Sequence, residues 1–222
     1  MLMLPVALFS LLIGSATSAE YFWGRCPSAP PMKDFEMDKL VGIWYIVEAF
    51  DSGEKCMTWN ISRDATPDTW KVVEDKENGA IHSAGLSHAK FNSGTIYQPD
   101  KNNPAKMKSY WPISGIAGDT EFTVHDTDYE NFASVFECQN VGLFHRENGL
   151  ILSRTPVLRI DLRQMARIRT PDINVAYYRR VNHSGCKYRS ELENNNSTKP
   201  AHGTGPRYGI GLSEDQITAD SS

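Results

Sequence analysis

The sequence predicts an all-β fold of eight or nine short strands followed by one helix. Three observations predict it. Runs rich in β-branched and aromatic residues follow one another from residue 42 to residue 154. Turn formers separate them, as hairpins require. The periodicity then changes once, to that of an amphipathic helix, before a polar end. The 222 residues are enough for one domain, or two at most.

Residues 1–19, MLMLPVALFSLLIGSATSA, are apolar and close on the small residues Thr17-Ser18-Ala19, suited to a signal-peptidase cut before Glu20. Export is therefore expected. No later stretch is long and apolar enough to span a bilayer. Residues 20–32 are proline-rich and read as an irregular lead-in. The first strand is 42–50, GIWYIVEAF. Gly42 marks a bend or a close backbone approach at its start. Trp44 must be buried by something, and its indole N–H needs an acceptor.

Further strand-like runs are 56–63, 69–74, 80–98, 105–113, 120–126, 131–139 and 149–154. The segment 80–98, with Gly85 and Gly94 inside it, is one bent strand or two. Asp51-Ser52-Gly53, Pro67-Asp68, Asn78-Gly79, Asn102-Asn103-Pro104, Gly115 with Gly118, and Asn148-Gly149 serve as turns. Strands at this spacing form a sandwich or a barrel. Eight strands remove their edges by closing, and such a barrel has room inside for side chains or one small ligand. From Pro156 onward Leu158, Leu162 and Met165 recur at i, i+4 and i+7, an amphipathic helix ended by Pro171. Its arginines read as a solvated face. Residues 174–181 are strand-like. Residues 187–222 are polar, are expected to be a disordered tail, and end without a lipid-anchor signal.

In an exported chain the four cysteines, Cys26, Cys56, Cys138 and Cys186, imply two disulfides, with three pairings open. The sequons at Asn60, Asn182, Asn195 and Asn196 are glycan candidates. A net charge of −4 is too small to imply nucleic acid. The six histidines show no metal-ligand spacing, and no cofactor is expected. Neither GxSxG nor HExxH occurs, so no catalytic residue is assigned and the chain is not read as an enzyme.

Three features in this order resemble the lipocalins, most nearly the group of apolipoprotein D, insect Lazarillo and the bilin-binding proteins. The first is 24-GRCP-27 followed by 42-GIWY-45. The second is 127-TDY-129 running into 129-YENFASVFEC-138. The third is 150-LILSRTP-156, whose Arg154 stands just before the helix. The resemblance covers about residues 24–186 of a domain taken as 20–186. It implies an eight-stranded antiparallel up-and-down β-barrel with the helix packed outside, and disulfides Cys26–Cys138 and Cys56–Cys186. It also implies that Trp44 plugs the closed end with Arg154 over it. Gly42, Trp44, Thr127, Asp128, Tyr129 and Arg154 are thus fold-making residues.

Alternation then phases the strands. Cys138 reaches an external segment, so Ala133, Val135 and Glu137 point inward. Asn60, if glycosylated, faces out and turns Met57, Trp59 and Ile61 in. Leu150 and Leu152 follow from the floor. Tyr97, Tyr110, Phe122 and Val124 are candidates whose phase no anchor fixes. An inward Glu137 could orient a ligand hydroxyl or amine. The simpler expectation puts it at the wet mouth, or behind a bulge that reverses the phase. The function expected is a secreted carrier of a small hydrophobic ligand, for which the resemblance implies candidates such as a lipid, fatty acid, sterol, retinoid, pheromone or bilin. The alternative is a protein-interaction or signalling module, a cell-surface receptor being its partner and tryptophans filling its barrel.

Overall fold

A computed structural model describes residues 20–50, 53–78, 89–112, 118–168 and 175–188. The signal segment, the expected tail from 189, Asn195, Asn196, His82, His88 and His202 lie outside the described residues. The strands are β1 (Glu20–Trp23), β2 (Gly42–Phe50), β3 (Glu54–Arg63), β4 (Thr69–Asn78), β5 (Ala89–Tyr97), β6 (Lys106–Tyr110), β7 (Thr120–Thr127), β8 (Phe132–Val141), β9 (Phe144–Ser153) and β10 (Tyr178–Arg180). The helix α1 is Ile160–Ile168.

Each strand from β2 to β9 pairs antiparallel with the next, and β9 returns to β2 through Tyr45↔Ser153 and Ala49↔Leu150. That last ladder closes an eight-stranded barrel and leaves free edge on the stretches of β9 and β2 beyond their barrel ladders. The two short strands are additions. β1 lies on the mouth half of β9, Glu20 opposite Glu147. β10 lies on β2, Tyr178 opposite Phe50. The lead-in is therefore a strand at its start, not irregular throughout.

The reversal expected at Asn148-Gly149 is also misplaced. The chain turns at Gly142, whose φ is +63°, and β9 runs unbroken from Phe144. Gly149 is needed for space. A Cβ on it would stand 2.5 Å from Cε1 of Phe50 and 2.7 Å from the Tyr178 hydroxyl. The glycine leaves room for those two rings, which meet edge to face at 79°.

Two apolar cores result. One fills the barrel; the other lies between the outer wall and α1 and joins Phe50, Phe132, Phe136, Ile151, Leu158, Ala166 and Tyr178, with Leu162 and Met165 against it. The helix is also fixed by charge. A bulge in β2 between Ile46 and Glu48 turns the Glu48 carboxylate outward, where Arg167 grips it in a fork at 2.7 and 2.8 Å. Arg163 stands 3.4 Å from the same carboxylate. Glu48 is fully buried, and a buried carboxylate needs a paired cation. Arg163 and Arg167 therefore leave the solvated face on which the sequence reading had put all the helix's arginines. Arg159 stays on it, paired with Asp161.

The closed end is built on Trp44, which has no exposed surface. Its indole N–H donates to the Leu40 carbonyl at 2.7 Å, at the end of a 3-10 turn over Met37–Leu40 that caps the floor. The Arg154 guanidinium lies 3.7 Å from the centre of the Trp44 ring. It donates to the carbonyls of Ile43 (3.1 Å), Tyr129, Lys39 and Val41 (3.2 Å each). Gly42 holds φ +110°, and a Cβ there would sit 3.1 Å from Nη1 of Arg154. Beside this plate, Asp128 Oδ1 accepts the backbone N–H groups of Glu130, Asn131 and Phe132. Burial pushes that carboxyl upward, but the three donors outweigh it and hold it below the usual range. Tyr129, at φ +64°, accepts the Glu36 N–H on its hydroxyl.

Candidate functional site in the barrel interior

Two disulfides tie the outer segments to the barrel. Cys26–Cys138 fixes the lead-in and Cys56–Cys186 fixes the segment after β10. With Cys138 held from outside, Ala133 and Val135 face inward. They join Met57, Trp59, Ile61, Phe122, Val124, Leu150 and Leu152 in the interior core, alongside Ile46, Val72, Ile96 and Met107. Asn60 and Asn182 are exposed, as an acceptor of a glycan must be.

Tyr97 and Tyr110 are not in the interior. Gly94 and Ile96 are the inward residues of β5, and Met107 and Ser109 those of β6, so the tyrosines point outward. Tyr110 is 44% exposed. The Tyr97 hydroxyl donates to Asp119, whose carboxylate, with burial, pushes the phenol up to about 12. The phase of this hairpin is set by Gly94 and Trp111, which carry no period-2 signal.

Glu137 is inward and buried, which corrects the expectation of a wet or bulged position: the one register shift between β7 and β8 lies between Val124 and Asp126, on β7, and β8 keeps its parity. Its Oε1 accepts from the Ser109 hydroxyl at 2.7 Å and the Trp111 indole N–H at 3.0 Å. Its Oε2 has only a 3.4 Å contact from Asn148 Nδ2. Burial pushes the carboxyl above its ordinary value. The bonds from Ser109 and Trp111 and the charge of Arg146 pull it back, and Glu74 adds repulsion.

Above the apolar layer the wall is thus polar. Glu74 Oε2 accepts from Trp59 Nε1 at 3.1 Å. Lys76 stands 3.3 Å from Glu74 and 3.9 Å from Glu54. Three aromatic rings cross this level: Trp59 lies 5.8 Å from Trp111 and 6.3 Å from Phe122, between centroids. Ser109, Glu74, Lys76 and Gly94 were missed by the sequence reading. Extending the Val72 parity two residues along β4 would have found Glu74. Among the described residues one grouping, Cys138, His145 and Glu147, is tight enough for a metal ion. The Cys138 sulfur is spent in a disulfide, and His145 already pairs with Glu147 at 2.8 Å.

A closed antiparallel barrel with one sealed end, an apolar interior and an external helix defines a ligand-cup protein. The comparisons place it. No protein-family model matches the chain. Apolipoprotein D of Bos taurus is 30% identical over 161 residues, spanning 66% of this chain and 75% of that protein. The chain belongs to the lipocalin family, in its apolipoprotein D and bilin-binding group. Among solved structures, insecticyanin of the tobacco hornworm Manduca sexta is similar at a TM-score of 0.59 and 18% identity, over 76% of this chain and 93% of that one. The tryptamine complex of the amine-binding protein of Rhodnius prolixus is similar at 0.57 and 17%, over 80% and 97%. At those identities the likeness is one of fold.

Proposed function

We propose that this lipocalin is an exported carrier that holds one small, largely apolar molecule in the barrel and performs no reaction on it. The observation that carries this reading is the two-level interior: an apolar layer above Trp44, then a few convergent polar groups around Glu137. Ligand cups have that composition, apolar walls for affinity and sparse polar atoms for orientation. Burying about 300 Å² of ligand apolar surface would be worth about 7 kcal/mol before association costs. Family membership supports small hydrophobic ligands in general. The two disulfides suit an oxidising compartment outside the cell, and no described helix is long and apolar enough to cross a membrane. All four cysteines are bridged, so a thiol nucleophile in the cup has no source.

A second reading has its own observation. Trp59, Trp111 and Phe122 pack at the polar level, so a barrel filled by its own side chains, acting through its outer surface on a receptor, is the competitor. Titration with fatty acids, retinol and biliverdin, followed by tryptophan emission, separates the two. Saturable quenching by any one of them supports the carrier. An emission indifferent to the whole panel would leave the filled barrel standing.

A further inference from the structure

Outside the barrel, the approach to α1 and the segment after β10 leave a groove of about 410 Å³ between them. Its floor is apolar: Val47, Leu158 and Val181 line it, all three buried. Val157 also lines it and is 81% exposed, and Ile160, three residues on, is 61% exposed. Apolar surface therefore meets water here, which marks a face that something covers. The groove also has cations. Arg163 is engaged by Glu48. Arg180 is exposed, and among the described residues its guanidinium has no hydrogen-bond or ion-pair partner.

The remaining polar lining is the sequon 182-NHS-184 itself. Its backbone is held on every side. The Val181 N–H donates to the Val47 carbonyl at 3.1 Å, and the Asn182 carbonyl accepts the Cys56 N–H at 3.0 Å. His183 Nε2 donates to the Ile46 carbonyl at 3.0 Å. The Ser184 N–H donates to Asn182 Oδ1 at 2.8 Å, an Asx turn. Two residues further on, Cys186 is bridged to Cys56. With Oδ1 spent in the turn, Asn182 Nδ2 has no partner among the described residues, and the side chain is exposed. Whatever grows from that nitrogen starts at a fixed point beside an apolar groove with a spare guanidinium.

We infer that Asn182 carries an N-linked glycan and that its first sugars lie in this groove as a covalently tethered cover. A pyranose ring has apolar C–H faces and a rim of hydroxyls. The groove matches both, with Val157, Leu158 and Val181 for the faces and the Arg180 donors for the oxygens. A tethered sugar has already lost the freedom a dissolved one would give up, so weak contacts suffice to seat it. The donor is an oligosaccharide linked to a lipid diphosphate. Nδ2 bonds to C1 of the first N-acetylglucosamine as the C1–O bond to the diphosphate breaks. The lipid diphosphate leaves, and the amide gives up one proton. The inference goes beyond the carrier reading: it needs export, and nothing about what the cup holds.

The test is expression of the full chain in a eukaryotic secretory host, with peptide mapping of the secreted protein. A glycan should be found at Asn182. Arg180→Ala keeps the sequon and removes the donor, so peptide N-glycosidase should release that glycan from the native chain about fivefold faster, the worth of one hydrogen bond. Release from the denatured chain should be unchanged. Ser184→Ala removes the glycan yet keeps the turn, which uses only the Ser184 backbone N–H. Its amides at 157–160 and 181–184 should exchange hydrogen faster than in the glycosylated chain, while those of the barrel strands keep their rates. A secreted chain bare at Asn182, or native release indifferent to Arg180→Ala, overturns the proposal. So does unchanged exchange in Ser184→Ala, which means another cover; sedimentation then separates a second copy from the chain's own end. Should Ser184→Ala not be secreted, the release rate of Arg180→Ala decides. Oleate and retinol titrations keep the two readings apart. Ligand uptake by a chain bare at Asn182 leaves the carrier and sinks the glycan, and a glycosylated chain that takes up no ligand does the reverse.

Discussion

Removing the guanidinium at the floor gives the sharpest test of how the closed end is held. Arg154→Ala deletes a cation stacked 3.7 Å from the Trp44 ring and four hydrogen bonds to carbonyls. The stacking is worth about 1 kcal/mol at a partly desolvated site. The bonds to Ile43 and Tyr129 are part-buried and worth about 1 kcal/mol each net. Those to Lys39 and Val41 face water, which replaces the donor at little cost. The expected loss is about 3 kcal/mol, or about 6–12 °C in Tm for a domain of this size. Arg154→Lys keeps the charge, but its single ammonium cannot reach four carbonyls held around a planar fork; it should lose at least half as much. The assay is thermal unfolding by circular dichroism under non-reducing conditions, with Trp44→Phe added to complete a double-mutant cycle. A loss under about 0.5 kcal/mol for Arg154→Ala, or a coupling to Trp44 indistinguishable from zero, would refute the account of the floor.

Three further outcomes are expected. Glu137→Gln keeps both hydrogen bonds and removes the buried charge. Since burial raises the folded-state pKa above the ordinary value of 4.5, the wild type holds that stability below 4.5 and loses it as pH rises through the raised value. The variant should match wild type in acid and exceed it by about 1 kcal/mol or more at neutral pH; urea melts at two pH values check this, and a constant difference contradicts it. Gly94→Ala forces the Trp111 ring off its platform, for an overpacking cost of about 1–3 kcal/mol and a red-shifted tryptophan emission; unchanged emission would mean the ring does not lie there in solution. The Cys56–Cys186 bridge spans 130 residues, for which chain entropy gives about 5 kcal/mol. The paired Cys56→Ser and Cys186→Ser variant should melt far below wild type, and non-reducing peptide mapping should recover this bridge together with Cys26–Cys138.

The sequence by itself determined the kind and order of the main elements and the facing of the strands that carry an anchor. A β-branched and aromatic run with turn formers on either side has few other options, and a cysteine or an exposed asparagine fixes the parity of a whole strand because side chains alternate strictly. Hence β2, β3, β8 and the interior faces of Met57, Trp59, Ile61, Ala133 and Val135 were legible. Only the tertiary structure decided the rest. β1 and β10 are too short to carry a pattern and exist because the open flanks of β9 and β2 accept them. Asn148-Gly149 has the composition of a turn but lies mid-strand, since Phe50 and Tyr178 need the room a side chain would take. Tyr97 and Tyr110 face outward because Trp111 settles on Gly94, and Arg167 turns toward the outer wall because the Glu48 carboxylate is buried there. Each of these is a contact between residues more than a dozen positions apart. Local periodicity records which face a residue prefers, and it contains no term for the partner that folding brings to that face.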